Sequence, residues 1–83
     1  MKISNISHQQ EKLQILLRRI RQDKEIRQIE LAEKLGVPQS FVSKYESGER
    51  RLDILEIRQI CKKVGISIDD FVRQLEETLN ETK

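Results

Sequence analysis

Gln39, Ser40, Ser43, Lys44 and Ser47 recur at the spacing that puts them on one side of a short helix, while Phe41, Val42 and Tyr45 take the other side. Such a polar face can make directed hydrogen bonds. A glutamine amide pairs through two bonds with an edge that offers a donor beside an acceptor, as adenine does; a lysine donates to the two acceptors of guanine, and a serine donates or accepts. Covalent chemistry finds no support, because the chain shows no nucleophile–base pair, carboxylate dyad or phosphate-cradling loop. One histidine, His8, is too few for a metal cluster, and one cysteine, Cys61, makes no internal disulfide. No catalytic residue, metal or cofactor is expected.

The elements that must hold this face follow from punctuation and periodicity. Gly36, Gly48 and Gly65 each follow a run of helical apolar spacing, where a left-handed C-terminal cap would fall. Leu13, Leu16, Leu17 and Ile20 form the stripe of a first helix, with Ser7 and Gln10 as its capping box. Leu31, Ala32 and Leu35 mark a second helix, and a third starts just after Pro38. Asp53 with Glu56 caps a fourth, built on Ile54, Ile57, Ile60, Cys61 and Val64. Ser67 with Asp70 caps a fifth, built on Ile68, Phe71, Val72, Leu75 and Leu79. The spacing predicts helices over about 8–23, 28–35, 39–47, 54–64 and 68–80, and the fold class is all-α.

Eighty-three residues suffice for one domain. The sequence divides into an N-terminal arm, 1–7, and a domain, 8–83, that ends in the helix 68–80. So small a core gains from a partner subunit. No apolar run approaches the roughly 20 residues that cross a bilayer, and the first seven residues lack a signal-peptide core, so a cytoplasmic location is expected. The net charge of +2 is unevenly spread: residues 1–65 carry 14 Lys/Arg against 9 Asp/Glu, and residues 66–83 carry 2 against 5. The basic part suits phosphates and the acidic end points elsewhere.

Two short helices joined through Gly36, Val37 and Pro38 match a helix-turn-helix, and the small Ala32 lets their backbones approach. In that geometry the start of the later helix enters the major groove of duplex DNA. Gln39, Ser40, Ser43 and Lys44 then face bases, while Gln28, Ser47, Arg50 and Arg51 face phosphates. Cys61 reads as a small core residue and Tyr45 as core with its hydroxyl at the rim. Ile15 and Leu55 lie off the apolar stripes. Val72, Leu75 and Leu79, on a helix longer than one small core needs, are assigned to a dimer contact.

The run Gln28-Ile29-Glu30-Leu31-Ala32-Glu33-Lys34-Leu35-Gly36-Val37, followed by Val42-Ser43-Lys44-Tyr45-Glu46-Ser47-Gly48, resembles the phage-repressor and Cro-like (XRE) helix-turn-helix family over about residues 13–72. The resemblance implies a five-helix lambda-repressor-like domain that binds a palindromic operator as a homodimer and regulates transcription, as a repressor. It assigns phosphate contact to Gln28 and base reading to Gln39, Ser40 and Lys44, and it pairs Arg21 with Glu46. Four positions depart from the family pattern: Glu25 stands where glycine is common, Arg27 where Thr or Ser caps the second helix, Pro38 where Ser or Thr is usual, and Leu52 where Pro is common. The alternative is a protein-interaction module, such as an antitoxin, that binds a partner protein through its last helix.

Overall fold

A computed structural model describes residues 6–80. Within them the chain forms α1 (Ile6–Asp23), α2 (Gln28–Leu35), α3 (Gln39–Ser47), α4 (Ile54–Val64) and α5 (Ile68–Asn80), with no strand among the described residues. α2 packs against α3 and α4, α1 against α3 and α5, and α4 against α5. The expected apolar stripes meet in one core: Leu16, Leu17 and Ile20 from α1, Leu31 and Ala32 from α2, Val42 and Tyr45 from α3, Ile57, Ile60, Cys61 and Val64 from α4, and Phe71 from α5.

Helix ends are fixed by specific bonds. The Asp53 carboxylate accepts the Glu56 N–H at 2.8 Å and Glu56 accepts the Asp53 N–H at 2.9 Å, a closed capping box. Ser67 Oγ accepts the Asp70 N–H at 3.0 Å to open α5. Arg27 has no acceptor to offer α2, but Glu30 accepts from both its backbone N–H, at 2.9 Å, and its Nε, at 3.1 Å. Half of a capping box is thereby kept where the usual Ser or Thr is missing. Pro38 sits at the N-cap of α3 with ψ 154°, one residue ahead of the helix proper.

Glu25 is the one described non-glycine residue with positive φ, at 57°. It closes α1 as a glycine would: its N–H reaches the Gln22 carbonyl at 2.9 Å, and the Ile26 N–H reaches that of Arg21 at 3.2 Å.

Two expectations are corrected. α1 already begins at Ile6, so Ser7 has helical backbone geometry and cannot be the N-cap that the pairing with Gln10 requires; of the expected arm 1–7, residues 1–5 lie outside the described residues and the rest is helix. The Tyr45 hydroxyl is not at the rim, because the whole side chain is driven into the core and its oxygen is buried without a hydrogen-bond partner. Leu75 packs against the core from the face of α5 that carries buried Phe71 and Thr78, as its place in the apolar stripe predicts, and stays half-buried.

Candidate nucleic-acid interface

α2 and α3 are joined by a turn whose geometry Gly36 permits, with φ 72°. The Gly36 and Val37 N–H groups close back onto Glu33 and Ala32 at 3.2 and 3.0 Å, which ends α2 and redirects the chain into α3. α3 is then held from behind. Val42 and Tyr45 are buried, and the half-buried Phe41 ring packs edge-on to Tyr45 with centroids 5.9 Å apart. Gln39, Ser40, Ser43, Lys44 and Ser47 all point outward and are exposed, as their spacing predicts.

One carboxylate ties three segments together beneath this face. Arg21 of α1 is buried and donates from Nε and Nη2 to the two oxygens of Glu46 at 2.7 and 2.9 Å, a side-on bidentate pair. Its Nη1 donates to the Ile26 carbonyl at 2.8 Å, so the guanidinium also pins the loop that leads to α2. The charged form of Arg21 is favoured first by its bond to Glu46, against the opposing cost of burial. The pairing that the resemblance implied is present.

Gln28, at the start of α2, donates from Nε2 to Oε1 of the same Glu46 at 3.0 Å. A carboxylate offers only acceptors, so the amide nitrogen must face it, and Oε1 of Gln28 turns toward α3. There Gln39 approaches with its Nε2 at 3.5 Å, the outer limit of a hydrogen bond. The second N–H of Gln28 makes no hydrogen bond to another described residue. Sequence reasoning placed both glutamines at the interface but missed that Glu46 orients the first of them.

At the far end of α3, Gly48 adopts φ 93°, and a side chain there would meet the Gln14 amide at 3.0 Å. Ser47 Oγ bonds the Lys44 carbonyl at 3.1 Å. Arg51 is exposed, whereas Arg50 is folded onto Glu56 and Phe41. Arg50 and Arg51, adjacent and expected to act alike, are therefore held quite differently. Burial pushes the Cys61 thiol up to about 11, which fits a packing role and keeps it from being a reactive thiolate at neutral pH. No cluster of three or more potential metal ligands occurs among the described residues, and none of their helices is long and apolar enough to cross a membrane.

A tight turn, a helix pinned from behind and an outward polar face define a helix-turn-helix DNA-binding domain. The chain belongs to the helix-turn-helix family HTH_3, of the XRE and Cro/C1 type, whose model matches residues 17–71. This is a family of non-enzymatic DNA-binding regulators. An XRE-family like protein from Pseudomonas syringae pv. tomato str. DC3000 is similar in structure with TM-score 0.80 and 39% identity, over 89% of this chain and 96% of that one. The restriction-modification controller protein C.Esp1396I is similar with TM-score 0.82 and 25% identity, over 88% and 95%. A mutant of the same controller gives TM-score 0.83 and 25% identity, over 90% and 95%. A search of curated proteins found no match.

Proposed function

We propose that this chain is a sequence-specific transcriptional regulator that lays α3 in the major groove of a palindromic operator and represses as a homodimer in the cytoplasm. The observation that carries this reading is the division of α3 into a buried apolar side and an exposed face of Gln39, Ser40, Ser43 and Lys44. Those four read base edges, while Gln28, Ser47 and Arg51 grip phosphates on either side. The likeness to a restriction-modification controller protein supports a regulatory role.

Selection of bound duplexes from a random pool tests this, with an enriched site of two inverted half-sites as the expected result. On that site Lys44→Ala weakens specific binding far more than binding to random duplex. Arg51→Ala weakens both and lowers the slope of log affinity against log salt by about 0.9, the change for one lost phosphate contact. Failure to enrich any duplex would refute the reading.

For the dimer contact we keep α5. Val72 is exposed there beside the half-buried Leu75 and Leu79, so a second copy laid along the helix would complete their cover. Val72→Asp is expected to give a monomer by sedimentation without loss of helix content. A variant that stays dimeric removes α5 from the contact.

A further inference from the structure

Arg50 makes more contacts than any other exposed or half-buried cation near α3. Its Nη2 and Nη1 donate to the two oxygens of Glu56 at 2.8 and 3.2 Å, and Nη1 also donates to the Arg51 carbonyl at 3.0 Å. The guanidinium carbon lies over the Phe41 ring, 4.4 Å from its centroid. Its backbone N–H reaches the Lys44 carbonyl at 3.2 Å. Arg50 is thus fastened to the recognition helix twice, through the Lys44 carbonyl and the Phe41 ring, and to the first turn of α4 through Glu56, itself fixed by the Asp53 cap. These bonds take three of its five N–H donors, and the Glu56 carboxylate held against it offsets the charge it would offer a phosphate.

Resting on the DNA-binding reading above, we propose that Arg50 is a positioning residue and not a phosphate ligand, and that Glu56, although negative, supports operator binding by holding Arg50 against α3. The pair sets how the Lys44 end of the recognition helix is held relative to the start of α4, and by holding the Arg51 carbonyl it leaves the Arg51 side chain to meet the phosphate. The neighbouring arginines divide the work: one holds the helix, the other holds DNA.

The two roles predict opposite signs. Glu56→Gln raises the net charge by one, so if Arg50 were a phosphate ligand kept busy by Glu56, the variant would bind DNA more tightly. Glutamine still accepts the Asp53 N–H, so the α4 cap and the fold survive. The experiment measures affinity for the selected operator and for random duplex across a salt series, with Glu56→Gln, Arg50→Met, Arg50→Lys and Arg51→Met. Glu56→Gln is expected to weaken operator binding about tenfold and to leave random-duplex binding equal or slightly stronger. Arg50→Met likewise weakens operator binding more than random-duplex binding, with an unchanged salt slope, and Arg50→Lys does not rescue it because an ammonium lacks the planar fork. Arg51→Met lowers the slope by about 0.9.

Tighter operator binding by Glu56→Gln, or a slope reduced by Arg50→Met, would overturn the proposal. Backbone amide shifts of Gln39, Phe41 and Lys44 give a readout without DNA: they move in Glu56→Gln and Arg50→Met and stay in place in Arg51→Met. If wild type retained no duplex while those shifts moved, the DNA reading would fail and the positioning role would stand. Unmoved shifts would sink the positioning role itself.

Discussion

Gln28 Nε2 donates to Glu46 Oε1 at 3.0 Å, on the carboxylate that Arg21 grips with two bonds. α1, α2 and α3 therefore share one buried anion. Arg21→Met or Glu46→Leu alone leaves the other charge uncompensated and is expected to cost about 3–5 kcal/mol of folding stability, whereas the double variant recovers most of it. A double-mutant cycle by urea denaturation measures this; additive losses would show the pair uncoupled.

Because Gln28 presents its carbonyl to Gln39, the Gln39 amide keeps its own carbonyl and one N–H for a base. That pattern matches adenine. Gln39→Ala is expected to lose about 1–3 kcal/mol of discrimination at one base pair per half-site and little elsewhere. Binding to operators that carry each base in turn reads this out, and a uniform loss at all positions would contradict it.

The Tyr45 hydroxyl is buried with no partner, and burial pushes its pKa up. Losing an unbonded hydroxyl relieves a desolvation cost, so Tyr45→Phe is expected to leave stability unchanged or raise it by up to about 1 kcal/mol. A loss above that in thermal unfolding would mean the hydroxyl is bonded in solution.

Glu25 holds a left-handed backbone that glycine adopts at no steric cost. Glu25→Gly removes about 1–2 kcal/mol of strain but loosens the unfolded chain by about 0.4–1 kcal/mol, so a net gain near 0.5–1 kcal/mol is expected in urea.

Bonds from Arg50, and then from the Asp53 N–H, hold the Glu56 carboxyl below its ordinary value of 4.5. A lowered carboxylate adds stability above that ordinary value and loses it as pH falls through the lower folded value. Stability is therefore expected to decline as pH drops below about 4.5, and less steeply in Glu56→Gln, which denaturation at a series of acidic pH values would show.

Four of the five helices have the bounds their spacing predicts, because Gly36, Gly48 and Gly65, the Asp53–Glu56 box and Ser67 are local signals read within a turn of where they act. The Ser7–Gln10 pair misplaces the start of α1 because an apparent capping pair is equally compatible with residues inside a helix. The outward face of α3 was legible from periodicity alone. What could not be read is set by neighbours distant in sequence: Arg50 against Phe41, Gln28 against Glu46 and the depth of Tyr45. Periodicity gives the direction of a side chain around its helix but not what meets it there.

The Ser40, Ser43 and Lys44 side chains make no hydrogen bond or ion pair with the other described residues, and only Gln39 is touched from below. The scaffold and its reading head are thus separable. On the proposed reading, exchange of those four residues is expected to retarget the molecule to a different DNA word while the machinery that folds it goes undisturbed.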